Sequence, residues 1–203
     1  MNFKEDYFIK SKISNYKDYT KKKYDLLTKE LVDILGLKKE DYVVDFGCAT
    51  GKLINCLKRN CNCKVKGTDI SFWAINYGKK ELGLDEELEF YNLNLLTTNP
   101  DYLLLLDVLE HIPQEDLEDL LAIISKGDYK GILVRVPVAA KEGENFALEV
   151  SKNDKTHIQI HDKQWWKRLF VKYGFNYCEL VKGKFIYDSE GVFAAIFRKC
   201  QRK

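Results

Sequence analysis

The sequence predicts a three-layer α/β domain, with a mostly parallel sheet of about seven strands lying between helices. Three observations carry that prediction. Short β-rich runs alternate with segments of helical period through the middle of the chain, as parallel strands joined by crossover helices do. The run "YLLLLD" (102–107) is apolar on both faces, which suits a strand buried between two helical layers. "VVDFGCATGKL" (43–53) passes from an apolar strand through small residues into a helix, the local pattern of a ligand-binding turn. At 203 residues the chain suits a single domain with a full core.

The elements follow in order. Residues 1–40 form an N-terminal helical flap: "YDLLTKELVDILGL" (24–37) is an amphipathic helix ending near Gly36, preceded by a Tyr- and Lys-rich stretch. The core occupies 41–203. "DYVVDF" (41–46) is the first strand, and "GKLINCLKR" (51–59) is a helix with apolar Leu53, Ile54 and Leu57. "CKVKGTD" (63–69) is the second strand and "FWAINYGKKEL" (72–82) the second core helix. "LEFYNL" (88–93) and "YLLLLD" (102–107) are the third and fourth strands. "PQEDLEDLLAIIS" (113–125) opens with proline and acids, as helices do. "GILVRVPV" (131–138) is a fifth strand stopped by Pro137. Asp162 caps a helix over 163–174 that ends at Gly174. "FNYCELVKG" (175–183) and "GVFAAIFRK" (191–199) close the sheet as an antiparallel hairpin.

Composition narrows the function. The net charge is only +2, with lysines and acids interspersed, which argues against a dedicated nucleic-acid binder. No apolar run approaches the ~20 residues of a membrane span. "MNFKEDYFIK" lacks the apolar core of a signal peptide, so a cytoplasmic protein with reduced thiols is expected. Cys48, Cys56, Cys61 and Cys63 include no C-x-x-C pair and no nearby histidine, so zinc spacing is not met.

The turn at 45–51 holds the chemistry. Asp45 precedes Gly47, Ala49 and Gly51, and Asp69 ends the next strand, where a carboxylate can accept both hydroxyls of a ribose or cap the helix over "SFWA". A dinucleotide turn would read G-x-G-x-x-G, and this one does not. The acid-x-G-x-A-x-G pattern resembles the first motif of the class I S-adenosylmethionine-dependent methyltransferases, with Ala49 in place of the middle glycine. The resemblance runs from about residue 40 to the end and includes "GTDIS", "NLNLL" and "LLLLDVLEHIP". It implies a Rossmann-like core, S-adenosylmethionine as cofactor, and methyl transfer to the O, N or C atom of a small-molecule acceptor, achieved mainly by positioning.

By that resemblance Gly47, Ala49 and Gly51 cradle the methionine part and Asp45 lies near its amine. Asp69 meets the ribose, Ile70 packs on the adenine, and Asn94 (or Asn92, the register being open) faces the adenine amino group. Asp107 lies beside the reactive methyl or caps the following turn. "NPDY" (99–102) looks like an amino-methyltransferase element but precedes the fourth strand, the wrong end, and reads as a turn.

His111, His157 and His161 are the candidate general bases, each with packing or surface exposure as the plainer role. The alternation of "HIQIH" is that of a strand, which sets His157 and His161 ~13 Å apart and prevents them from sharing a metal. Arg135, a charge in an apolar strand, pairs with a substrate anion or with a protein acid. Trp165 and Trp166 divide between core and acceptor-pocket wall. Tyr16 and Tyr19 either cover the sulfonium or dock a helix on the sheet. Two other readings stand beside this one. An NAD-type dehydrogenase is disfavoured by the glycine spacing, and a non-catalytic partner or sensor could keep the cofactor fold.

Overall fold

The first strand, β1 (Tyr42–Phe46), lies in the interior of a seven-stranded sheet. The computed structural model describes residues 3–10 and 20–199. The other strands are β2 (Lys64–Asp69), β3 (Leu88–Phe90), β4 (Tyr102–Leu106), β5 (Gly131–Pro137), β6 (Phe175–Leu180) and β7 (Val192–Lys199), in the order β3-β2-β1-β4-β5-β7-β6. The first five are mutually parallel, and β7 runs antiparallel between β5 and β6.

Alternation along the strands builds a core on each face of this sheet. Val44, Leu103, Leu105, Ile132 and Val134 pack with α4 (Gln114–Ile124) and α6 (Lys163–Lys172). Val43, Leu104 and Leu133 point the other way, toward α1 (Lys21–Leu35), α2 (Lys52–Asn60) and α3 (Phe72–Leu82). The continuous apolar run in β4 is therefore required, because its successive side chains enter two different cores.

Most boundaries fall within a residue or two of expectation. Three departures have local causes. The third strand stops at Phe90 because Tyr91 takes a positive φ of 43°, and Asn92 then caps a 3-10 turn over Leu93–Thr97. The first helix begins at Lys21, three residues earlier than the apolar pattern shows, because Thr20 caps it. A short helix, α5 (Glu149–Asn153), carries no capping signal and was not expected.

Helix α1 is fastened to the connection between β6 and β7. The Glu30 carboxylate accepts the backbone N–H groups of Lys184, Phe185 and Ile186 at 2.8, 2.9 and 2.6 Å. Three convergent amides form an anion-binding nest, so this contact sets the shape of the β6–β7 connection. Glu30→Ala removes charge-assisted bonds worth ~1.5–3 kcal/mol in such settings. The expected result is a fall in Tm of about 4–8 °C for a chain of this size. A thermal melt matching the wild type would contradict it.

Candidate active site

The chain leaves β1 toward α2 on one face of the sheet and leaves β4 toward α4 on the other. Neighbouring parallel strands that diverge in this way open a crevice beyond their carboxyl ends. A cavity of about 440 Å³ lies there, and Asp45, Gly47, Asp107, Glu110, His111 and His157 are among its lining residues.

Its near wall is the glycine-rich turn. Gly47, Ala49 and Gly51 take φ values of 81°, 50° and 73°. A Cβ at Gly47 would lie 2.4 Å from Val108 Cγ2, so only glycine lets the turns after β1 and β4 touch. Ala49 is a costlier replacement than its size implies, because a left-handed conformation disfavours an L side chain by ~1–2 kcal/mol. Asp69 holds this residue in place. Its Oδ2 accepts the Ala49 N–H at 2.8 Å, and its Oδ1 accepts the Ser71 N–H at 2.7 Å. Asp69 is therefore not the helix cap; Ser71 is, accepting from the Ala74 N–H. Each Asp69 oxygen retains a lone pair for a ligand hydroxyl.

Asp45 lies beneath the turn and is 4% exposed. Burial, and then the charge of Asp69, push its carboxyl up to about 7. Beyond Asp69 the surface is apolar and open. Ile70 is 54% exposed, and the Phe72 ring meets the Phe90 ring edge-on at 5.5 Å. Asn92 is occupied as the cap of the 3-10 turn, its Oδ1 accepting the Asn94 N–H at 3.0 Å, whereas the Asn94 side chain is exposed.

The far wall is polar. Asp107 has a φ of 53° and binds Arg135 through both carboxylate oxygens. Arg135 also donates to the Phe185 carbonyl at 3.1 Å, so its main partners are within the protein, not a substrate anion. Glu110 is fully buried, and neither of its carboxyl oxygens has a hydrogen-bond partner among the described residues. Burial first, then Asp107, raise its carboxyl well above the usual range. His111 and His157 face it, with ring centroids 4.8 Å apart. Burial lowers the pKa of both imidazoles, aided in His111 by His157. Phe3 and Tyr7, from the N-terminal segment, set their rings edge-on to His111 at 5.5 and 6.5 Å.

Two expected residues lie elsewhere. His161 stacks on Trp165 at 3.5 Å and binds Glu142 at 2.7 Å, and neither ring lines the cavity. The pair is a structural stack, so His161 is not placed to act as a base there, nor is Trp165 a wall of the acceptor pocket. Trp166 is fully buried in the core. Tyr16 and Tyr19 fall outside the described residues. Conversely, Tyr7, Glu110 and Asp154 line the cavity and were not anticipated. Glu110 is adjacent to His111 in "DVLEHIP", but only the fold shows that it points inward.

The model of a family described as a methyltransferase domain matches residues 16–180, most of the chain. No curated protein matches the chain in sequence. Solved structures do match its fold. One is an S-adenosylmethionine-dependent methyltransferase from Archaeoglobus fulgidus, at 18% identity and a TM-score of 0.64, covering 87% of this chain and 94% of that one. Another is magnesium protoporphyrin IX methyltransferase from Synechocystis PCC 6803 with bound S-adenosylhomocysteine, at 18% identity, TM-score 0.61, covering 89% and 83%. A third is the [4+2]-cyclase SpnF, at 14% identity, TM-score 0.65, covering 86% and 80%. The sheet order, the glycine-rich cradle and the family match together exclude the dehydrogenase reading: the chain belongs to the class I S-adenosylmethionine-dependent methyltransferases.

Proposed function

We propose that the protein transfers a methyl group from S-adenosylmethionine to a small molecule seated in the cavity. The observation that carries this reading is that one half-open cavity is lined both by the cradle residues Asp45 and Gly47 and by the polar wall of Asp107, Glu110, His111 and His157. Tyr7 and Tyr24 from the N-terminal flap, with Phe185 and Tyr187 from the β6–β7 connection, narrow it from outside. That enclosure favours a compact acceptor over a polymer, and the near-neutral net charge agrees. The fold alone would not decide the reaction, since a cyclase shares it.

The residues fit the cofactor in kind. Asp45 is a buried acid that a ligand ammonium would neutralise. Asp69 offers lone pairs to ribose hydroxyls, Ile70 with Phe72 and Phe90 offers an apolar bed for adenine, and Asn94 can accept from its amino group. The bound cofactor supplies a methyl carbon activated by sulfonium. Asp107, fixed by Arg135, and the neutral imidazoles of His111 and His157 then line the side from which an acceptor approaches. The Nε2 lone pairs of those imidazoles can take the acceptor's proton, while alignment and exclusion of water contribute the larger share of the rate. Residues 1–40 serve as the flap, with Tyr16 and Tyr19 among its aromatic residues. Among the described residues no helix is long and apolar enough to cross a membrane, and the described cysteines are unpaired, which fits the cytoplasm.

Asp69→Ala should weaken S-adenosylmethionine binding at least ~10-fold, since hydrogen bonds to a charged group are worth ~1.5–3 kcal/mol. Calorimetric titration giving equal affinities would remove Asp69 from the site. Protein incubated with methyl-labelled S-adenosylmethionine and a cell extract should pass label to the low-molecular-weight fraction. Label confined to the RNA or protein fraction would contradict the small-molecule acceptor.

A further inference from the structure

The far wall has a defect that methyl transfer does not explain. Glu110 is buried with both oxygens unpartnered, in surroundings where an unpaired carboxylate costs several kcal/mol. Its Oε1 lies 4.0 Å from His111 Nε2 and 3.9 Å from His157 Nε2, too far for hydrogen bonds.

The tautomers sharpen the point. His111 Nδ1 lies 3.1 Å from the Thr156 carbonyl, and His157 Nδ1 lies 3.1 Å from the Ser151 carbonyl. A carbonyl only accepts, and the Thr156 hydroxyl, 3.0 Å from His111 Nδ1, already donates to Asp154 Oδ1, so each Nδ1 carries the proton. With the proton on Nδ1, each neutral ring presents its Nε2 as a lone pair. Three possible ligand atoms, two nitrogens and one carboxyl oxygen, thus converge within 4.8 Å of one another. Fixing a histidine through Nδ1 to a carbonyl while freeing Nε2 is how proteins orient metal ligands.

We infer that Glu110, His111 and His157 bind a divalent transition-metal cation in the floor of the cavity. Bonds of about 2.1 Å would draw the three atoms together by roughly 1 Å, within the reach of rotatable side chains. Two imidazoles and one carboxylate suit Mn²⁺, Fe²⁺, Co²⁺ or Zn²⁺ better than Mg²⁺ or Ca²⁺, which favour all-oxygen sets. Three protein ligands leave positions open toward the cavity. Asp154 Oδ2, 3.6 Å from His157 Nε2, adds negative charge alongside.

The cation's use rests on the methyl-transfer reading. It would hold an acceptor hydroxyl or its equivalent and lower that group's pKa, so that the proton leaves to solvent. The acceptor oxygen then forms its bond to the methyl carbon as the carbon–sulfur bond breaks and its electron pair returns to sulfur. The two imidazoles, serving as ligands, would no longer be the base.

Metal binding can be tested without turnover. Chelator-stripped protein, free of cofactor, is titrated with MnCl₂ and ZnCl₂ by calorimetry, with Mn²⁺ also followed by electron paramagnetic resonance. The expected result is one ion per chain, with Mg²⁺ weaker. Glu110→Gln and His157→Gln should weaken binding at least ~10-fold while retaining S-adenosylmethionine affinity and a cooperative melt. No stoichiometric binding by the wild type, or equal binding by both variants, would overturn the site. If the ion binds but chelation leaves methyl transfer unchanged, the proposed use of the ion is wrong. If the ion binds and no acceptor is ever labelled, the failure belongs to the methyl-transfer reading alone.

Discussion

Negative charge held out of water at the carboxyl edge of the sheet is the constraint on which the site depends. Asp45 beneath the cradle and Glu110 on the far wall are almost fully buried, and Asp69 is half-buried. Among the described residues, hydrogen-bond donors relieve only Asp69 of the three, through the backbone N–H groups of Ala49 and Ser71. The other two carboxyls are raised by burial and by neighbouring acids. A ligand that brings positive charge to this edge gains affinity from what the empty fold forgoes, because an opposite charge restores the ionised form.

The fold creates that situation through topology. β1 and β4 lie side by side, yet their chains turn to opposite faces, so both turns open into one crevice. Gly47 lets them touch at Val108, which brings the cradle and the "DVLEHIP" segment to opposite walls of a single cavity. Asp69, proposed to meet the ribose, also fixes the strained Ala49, so on that reading binding and loop geometry share one carboxylate. Glu30 plays a similar part at a distance. It holds the connection that carries Phe185, whose carbonyl in turn steadies Arg135 and hence Asp107.

Much of this was legible in the sequence because it depends on local pattern. The apolar run of β4, the caps at Asp162 and Gly36 and the Asp45–Gly51 turn each state their conformation within a few residues. What the sequence hid depends on long-range approach. Arg135 reads as a charge in search of a partner, but only strand pairing shows that partner to be Asp107. The alternation in "HIQIH" suggests a strand, but the segment is irregular and lies against the Glu110 carbonyl through Ile158 and Gln159. That contact joins His157 to His111, 46 residues away in sequence, and no spacing rule reaches so far. Tyr7 enters the cavity from a π-helical turn whose sequence carries no ligand signal.

If buried negative charge sets the affinity for a cationic cofactor, binding must move protons. Asp45, pushed up to about 7, holds part of a proton near pH 7 in the empty protein, and the proposed pairing with an ammonium would ionise it. Calorimetry of S-adenosylmethionine binding at pH 7, in buffers of different ionisation enthalpy, measures this directly. The expected result is a net release of up to about half a proton per site that is reduced in Asp45→Asn. A binding enthalpy independent of the buffer would contradict the account.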